Sequence, residues 1–226
     1  MSEIPTDEIY YAHAGNLSFL RRISAKAREA NYRLFQNVMR PGAETTILDV
    51  GVSDEITVES NMLEQRHPHR ERIVCASLGD GAGIVAAYPG IHHSRIEAAK
   101  PLPFRDGEFD IAYSNAVLEH VGCADKQRAF IHELCRVSRR VFLAVPNRLF
   151  PVEHHTALPL VHWLPVRLFR GLMARTRWQH WSREENLNHV TPGALRAMFP
   201  MSRVARTAYS GLGFGPFRSN LVAYEE

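Results

Sequence analysis

The feature that most constrains the fold of this chain is a short apolar run, rich in β-branched residues, that recurs along it. Clear examples occupy residues 45–51, 71–77, 109–114 and 140–145, and a weaker one occupies residues 93–97. Runs of this length that stop at a glycine or a polar residue are typical of buried strands in a parallel sheet. The sequence therefore predicts five parallel strands.

Helical patterns lie between and around these strands. Residues 125–138 place four apolar side chains on one helical face, those of Phe130, Ile131, Leu134 and Val137. Strands and helices that alternate at this spacing predict an α/β fold, with a doubly wound, mostly parallel sheet covered on both faces. A chain of 226 residues is long enough for one such domain and short for two of ordinary size.

The remaining segments complete a single domain. Apolar residues about a helical turn apart predict an N-terminal helical segment, and Thr191 followed by Pro192 predicts the start of a late helix. Two β-prone runs near the end predict a closing hairpin. We expect four parts: a helical segment (1–40), a ligand-binding core (41–149), a helical cap inserted after strand five (150–190), and a C-terminal helix and hairpin (191–226).

Composition excludes several classes of protein. Lys and Arg exceed Asp and Glu by only three, so no nucleic-acid partner is expected. The three cysteines form no CxxC pair, which predicts neither a disulfide framework nor a thiolate zinc site and fits a reducing cytoplasm. The acidic first residues do not resemble a signal peptide, and no uncharged apolar stretch is long enough to predict a membrane span. We expect a cytoplasmic protein.

A ligand of such a sheet binds beyond the carboxyl ends of the strands. Asp49 and Gly51 lie at the end of the first strand. The glycine would let a ligand approach the backbone, and the aspartate would offer a fixed carboxylate. An ordinary strand-to-helix turn would contain the same two residue types, so that interpretation stays open.

A fuller motif spans residues 101–121. It contains Leu-Pro-Phe at 102–104, an Asp-Gly turn at 106–107, Phe-Asp at 109–110 and Ser-Asn-Ala-Val-Leu-Glu-His-Val at 114–121. In this order, these pieces resemble the class I S-adenosylmethionine-dependent methyltransferases, specifically the methyltransferase type 11-like, small-molecule branch. The resemblance implies a Rossmann-like fold, S-adenosylmethionine as the cofactor, and an enzyme that transfers a methyl group to a small molecule.

The resemblance also implies a set of cofactor-binding residues at the strand ends. Three positions depart from the family pattern. Ser53 replaces the second glycine of the loop, Ser77 with the nearby Asp80 replaces the carboxylate after strand two, and Glu97 replaces an aspartate that meets the adenine. We expect Glu97 to matter more than Asp80 because it ends a recognisable strand. The whole set is Asp49, Gly51, Ser53, Ser77, Asp80, Glu97, Asn115 and Ala116.

Two other functions use the same fold. A nicotinamide oxidoreductase would require GxGxxG after the first strand and an acid ending the second, and neither is present. A catalytically retired methyltransferase fold that serves as a binding or scaffolding protein stays open, because an altered glycine-rich loop is what such a loss would produce.

Histidine and tryptophan residues concentrate in residues 150–181, which leave the sheet beside the crevice. His155 in this segment and His120 after strand four are candidate general bases, although a structural role fits each of them equally well. An oxygen acceptor is slightly preferred, since residues 114–117 lack the NPPY-type sequence that would indicate adenine or glutamine nitrogen. Glu153, His154 and His155 stand together without a second cluster, so no metal is predicted.

The cap also carries apolar side chains at helical spacing, which predicts that most of them pack onto the sheet. They are Leu160, Val161, Leu164, Val166, Leu168, Phe169, Leu172 and Met173. Four arginines among them would also suit a helix that lies on an anionic membrane, and hence a lipid-linked substrate. An ordinary solvated basic face is the simpler interpretation. The oligomeric state is not predicted.

Overall fold

The computed structural model describes residues 18–57 and 59–226. Seven strands form one sheet in the order β3-β2-β1-β4-β5-β7-β6. Strands β1 to β5 pair in parallel, and β7 lies antiparallel between β5 and β6. This sheet confirms the predicted doubly wound, mostly parallel architecture. The strands are β1 Ile47–Val50, β2 Ile73–Ser77, β3 His92–Arg95, β4 Phe109–Asn115, β5 Ser138–Pro146, β6 Ala205–Ser210 and β7 Asn220–Glu225.

Helices cover both faces of the sheet. They are α1 Ser18–Met39, α2 Met62–Arg66, α3 Ala82–Ala87, α4 Ala124–Val137, α5 Val166–Met173 and α6 Pro192–Ala197. Because side chains alternate along a strand, β5 contributes Val141 and Leu143 to the core beneath α4 and α6, and Phe142 to the core beneath α1. The predicted N-terminal helix is present from Ser18. Residues 1–17 of that predicted segment lie outside the described residues.

The direction in which the strands are added reverses between β1 and β4. From β1 the chain adds β2 and β3 on one side, and it then returns to add β4 and β5 on the other. The carboxyl ends of β1 and β4 therefore flank a topological switch point, where open α/β sheets bind their ligands. This position brings Gly51, after β1, beside Ala116 and Val117, after β4.

The predicted packing of the cap is wrong for most of its apolar residues. Phe169 and Met173 are buried with Trp181 in a small core of their own. Helix α5 has only eight residues, and the two buried ones lie one turn apart on its inner side. Val161 is partly buried against this core, and five others extend into solvent: Leu160, Leu164, Val166, Leu168 and Leu172.

The C-terminal part agrees with the sequence. The Thr191 side chain accepts a hydrogen bond from the Ala194 amide at 3.3 Å and caps α6. Strands β6 and β7 form the predicted hairpin. Among the described residues, no helix has the length and apolar character needed to cross a membrane. The three cysteines are all unpaired thiols.

Candidate active site at the carboxyl ends of the strands

Gly51 marks the centre of the site. Its φ of 100° is a conformation that favours glycine, and its amide donates to the Ala76 carbonyl oxygen at 2.8 Å. A Cβ on this residue would lie 2.1 Å from Val117 Cγ2. The backbone of Gly51 is exposed, so a ligand can approach the main chain at the carboxyl end of β1.

The loop after β1 is held in shape although its second glycine is a serine. The Asn61 side chain accepts a hydrogen bond from the Ser53 amide at 3.1 Å and donates to the Ser53 carbonyl oxygen at 2.7 Å. The Ser53 hydroxyl accepts from the Glu55 amide at 3.1 Å. Asn61 is buried in a left-handed conformation with φ of 50°. It was missed from the sequence, where a polar residue before a short helix is not distinctive.

The residues after β2 and β3 are arranged differently from the prediction. Strand β3 ends at Arg95, so Glu97 does not end a strand, and its exposed carboxylate pairs with Lys100. The reason for ranking Glu97 above Asp80 is therefore wrong. Asp80 is exposed and accepts from the Ala82 amide at 3.0 Å, while the buried Ser77 hydroxyl bonds His93 Nε2 at 2.9 Å.

Asp49 belongs to a buried acidic group, which differs from the fixed, ligand-facing carboxylate that was expected. It faces α2, where it hydrogen-bonds Glu64, and the Cys75 thiol donates to Glu64 Oε1 at 3.2 Å. Burial, and then the Glu64 charge, raise the pKa of Asp49 well above its usual range. Among the described residues, no group donates a hydrogen bond to Glu64 Oε2. A protonated Asp49 carboxyl can supply that donor.

The end of β4 is strained and polar. Ala116 has a φ of 60°, which is unusual for a residue with a side chain, and its amide donates to the Ala144 carbonyl oxygen at 2.8 Å. The fully buried Asn31 of α1 donates to Asn115 Oδ1 at 3.0 Å. Within the described part of the chain, Asn31 Oδ1 has no hydrogen-bond partner. Asn31 was missed because α1 carries many polar residues, and nothing in the sequence marks this one as buried.

The two histidines selected as candidate bases are brought into contact. His120 lies in the short 3-10 helix Leu118–His120 after β4, and His155 comes from the cap. Their Nε2 atoms are 3.3 Å apart. His120 Nδ1 donates to the Asn186 carbonyl oxygen at 2.6 Å, and His155 Nδ1 donates to Glu153 Oε1 at 2.8 Å. Their two Nε2 atoms therefore face each other.

The surroundings shift the pKa values of the two histidines in opposite directions. Burial alone would raise the pKa of Glu153, but His155 and the hydrogen bonds to the carboxylate hold it well below its usual range. Burial alone would lower the pKa of His155, but the charge and hydrogen bond of Glu153 raise it. Burial and the positive His155 lower the pKa of His120 to about 3. His120 is thus neutral, and its Nε2 lone pair faces Nε2 of His155, the ring whose protonated form Glu153 favours.

Glu119 completes the group and was missed as a site residue. Its side chain is 2% exposed, and neither of its oxygens has a hydrogen-bond partner among the described residues. The nearest ion-pair atom is His120 Nε2, 3.8 Å from Glu119 Oε1. Burial raises the pKa of Glu119 to about 7, although His155 acts against it. The fully buried Trp181 ring lies 4.6 Å from the His155 ring, centroid to centroid, and closes one side of the group.

A mostly parallel sheet with this strand order and an exposed glycine backbone after β1 are features of the class I methyltransferase fold. Residues 48–141 match the family model described as a methyltransferase domain. The match covers the core of the sheet from β1 into β5. The chain thus has the class I methyltransferase fold, and residues 48–141 resemble a methyltransferase domain.

Solved structures share this fold at low sequence identity. A methyltransferase from Aquifex aeolicus is 13% identical, with 99% of this chain and 98% of that chain covered and a TM-score of 0.54. The magnesium protoporphyrin IX methyltransferase of Synechocystis, solved with S-adenosylhomocysteine, is 15% identical, with coverages of 100% and 90% and a TM-score of 0.54. The N-methyltransferase NodS of Bradyrhizobium japonicum is 11% identical, with coverages of 88% and 85% and a TM-score of 0.52. A search of curated proteins finds no match.

Proposed function

We propose that this chain transfers the methyl group of S-adenosylmethionine to an oxygen of a small-molecule acceptor. The observation that carries the choice of acceptor is the chain of contacts from Glu153 through His155 to His120, which ends beside β4. An oxygen acceptor has a hydroxyl proton to lose, and a histidine pair backed by a buried carboxylate is suited to take it. The N-methyltransferase relative shows that the fold alone does not select oxygen.

The residues at the strand ends fit the cofactor. The exposed backbone at Gly51 would admit its methionine part, and the unpartnered Asn31 Oδ1 is an acceptor for an α-ammonium group. The exposed Asp80 carboxylate, in the loop after β2, is available to ribose hydroxyls. Ser53, Ser77, Asn115 and Ala116 stay in the proposed site as residues that shape the crevice, and Asp49 supports it from the buried side.

The histidines would handle the acceptor proton. When bound, S-adenosylmethionine supplies a methyl group on a positively charged sulfur that leaves as a neutral thioether. A hydroxyl beside the pair can donate its proton to His155 Nε2, because the Glu153 carboxylate at Nδ1 raises the pKa of that ring. Glu153 holds the His155 ring in place and stabilises its positive charge. Trp181 shields the pair from water on one side.

The test separates cofactor binding from turnover. Calorimetric titration with S-adenosylmethionine and S-adenosylhomocysteine should show binding, and the appearance of S-adenosylhomocysteine should follow turnover on a panel of phenols, alcohols and amines. We expect His155→Ala to lower turnover by about 10²–10⁴-fold with little change in cofactor affinity. His132, exposed on α4, provides the matched control, and His132→Ala should have no effect. Absent cofactor binding in the folded wild-type protein would favour the retired scaffold, and activity on amines alone would contradict the oxygen acceptor.

A lipid-linked acceptor is a second candidate, favoured by the outer surface of the cap. Leu164, Val166, Leu168 and Leu172 are exposed beside Trp163, and Arg167, Arg175 and Arg177 are exposed nearby. The Trp163 ring lies 6.3 Å from the Phe217 ring of the last loop, which extends the apolar surface. Exposed apolar side chains with arginines are suited to an anionic lipid surface.

Vesicle sedimentation tests this second candidate. The protein should sediment with vesicles that contain anionic lipid and not with neutral ones, and Leu168→Glu should abolish the effect. Val204 is exposed at the opposite end of β6 from that loop, so Val204→Glu is the matched control. Equal sedimentation of the two variants would contradict a membrane role for the cap. The free cysteines support the related proposal that the protein works in a reducing, cytoplasmic compartment.

A further inference from the structure

The distance between the two facing histidines fits a metal ion as well as it fits a proton. His120 Nε2 and His155 Nε2 are 3.3 Å apart. Two imidazole nitrogens that each lie about 2.0–2.1 Å from a tetrahedral ion stand about 3.3–3.4 Å from each other. The facing nitrogens are therefore spaced like two ligands on one edge of a tetrahedron.

The opposite ring nitrogens are held as they are in metal sites. A histidine ligand usually donates its other N–H to a carboxylate or to a backbone carbonyl, which fixes its tautomer and orientation. His155 Nδ1 meets the Glu153 carboxylate at 2.8 Å, and His120 Nδ1 meets the Asn186 carbonyl oxygen at 2.6 Å. Glu153 is itself held by the Thr156 amide and hydroxyl. Both Nε2 atoms can thus present lone pairs to the same point.

The buried carboxylate of Glu119 is an independent observation that favours a bound cation. Its carboxylate is buried, and within the described residues neither oxygen accepts a hydrogen bond. An unpaired buried carboxylate is costly, and coordination of a cation is one way to satisfy it. One ligand atom each from Glu119, His120 and His155 can be chosen so that all three lie within 4.8 Å of one another.

We propose that Glu119, His120 and His155 bind one divalent transition-metal ion through a carboxylate oxygen and two Nε2 atoms. This donor set suits Zn²⁺, and three protein ligands leave a fourth position open. The proposal differs from the sequence prediction of no metal. That prediction considered Glu153, His154 and His155 together, whereas Glu153 is the outer partner of His155 and the other two ligands follow β4.

The proposed metal site also narrows the class of methyl acceptor, and this part of the proposal rests on the proposed function. A divalent ion held there would offer its open position to an oxygen of the acceptor and make that hydroxyl more acidic, so that its proton would leave to solvent and not to the histidines, whose Nε2 atoms are then ligands. The acceptor would then be a phenol or another hydroxyl compound that can coordinate through oxygen. In this form the two histidines hold the ion instead of a shared proton.

The experiment measures metal binding directly, apart from catalysis. The full-length protein is dialysed against a chelator, freed of the chelator and titrated with Zn²⁺ by calorimetry, with metal content measured after gel filtration. We expect one tightly bound Zn²⁺ per chain. Glu119→Gln, which keeps the side-chain shape, and His155→Ala should each weaken binding by at least about 100-fold, and Glu153→Gln by about 10–100-fold. His132→Ala should leave the affinity unchanged, because this exposed histidine lies outside the proposed site.

Zn²⁺ binding and methyl transfer are measured separately, so a wrong metal site can be distinguished from a wrong proposed function. No saturable Zn²⁺ binding by the wild-type protein, or equal binding by the wild type, Glu119→Gln and His155→Ala, overturns the metal site. Circular dichroism confirms that each variant is folded before it is scored. Methyl transfer by metal-free protein would leave the proposed function standing without the ion. Tight binding of Zn²⁺ by a protein that transfers no methyl group would support the site and contradict the function.

Discussion

Two groups of buried carboxyls lie beside the sheet, and their pKa values are shifted in opposite directions. Asp49 of β1 and Glu64 of α2 lie beside the Cys75 thiol, and burial raises the pKa of both acids. Glu153 has no exposed surface either, yet His155 and the hydrogen bonds around it hold its pKa well below the usual range. The first group keeps a proton, whereas the second keeps a charge. A buried charge that is retained can polarise a neighbour, which is why the second group is the one suited to chemistry.

Removing the charge of the second group should have the largest effect. Glu153→Gln leaves His155 without its counter-ion and breaks a buried pair, which typically costs about 3–5 kcal/mol. Urea unfolding at pH 7 should therefore show a loss of at least about 3 kcal/mol. Asp125→Asn, which removes an exposed ion pair with Arg128, is the control and should change stability by at most about 1 kcal/mol. A loss for Glu153→Gln no larger than that of the control would remove the contrast between the two groups.

The first group should respond less to loss of a donor. Cys75→Ala removes the thiol that donates to Glu64 Oε1 and leaves a small cavity. We expect unfolding to become easier by about 1–2 kcal/mol. Cys75→Ser restores a donor of similar size and should recover part of that loss. If serine proves worse than alanine, the hydrogen bond to Glu64 is not what the thiol contributes.

The two groups should also differ in the direction of their pH dependence. Because burial raises the pKa of Asp49 above its unfolded value, the folded protein binds more protons there. The stability contributed by this proton is complete below the unfolded pKa of about 4 and falls as the pH rises through the folded value. Asp49→Asn removes this titration, so its stability should decline less between pH 5 and pH 8 than that of the wild type. Parallel stability curves for the two proteins would contradict a shared proton.

Substitution of the exposed acids after β2 and β3 should have the smallest effect on stability. Asp80 and Glu97 are both exposed, so Asp80→Ala and Glu97→Ala should each change stability by less than about 0.5 kcal/mol. Their effects on cofactor affinity should differ. Glu97 already pairs with Lys100, whereas Asp80 lies in the loop after β2, so we expect only Asp80→Ala to weaken S-adenosylmethionine binding. If calorimetry shows that Glu97→Ala weakens binding and Asp80→Ala does not, Glu97 is the residue that contacts the adenine.

The pattern of the sequence was sufficient for the sheet and for most of its helices. Apolar runs such as residues 140–145 are typical of buried strands, and Thr191 with Pro192 marks a helix start by local hydrogen bonding. The boundary of β3 was misplaced because its four residues are polar and only partly buried, so they carry no apolar pattern. That error of two residues altered the role expected of Glu97.

The site was only partly predictable, because its contacts join distant segments. His120 and His155 could be selected by residue type, but their approach depends on the path of the cap over β4. Glu119 was passed over because an acid beside a histidine is common on surfaces, and only burial makes it unusual. Asn31 meets Asn115 across 84 residues, a separation at which no periodicity connects them. Pairing of this kind is decided by tertiary packing.

The buried indole of Trp181 has an experimental consequence. It contacts the rings of His155, His120 and His180 and has no exposed surface, while Trp163 is exposed and Trp178 is partly exposed. Indole emission is sensitive to the charge of a neighbouring imidazole, so the centre contains its own optical probe. With Trp163 and Trp178 replaced by phenylalanine, the remaining fluorescence would report in real time when a proton, a cation or an acceptor arrives at the histidine pair. Binding steps that leave no product would then be visible in a stopped-flow trace.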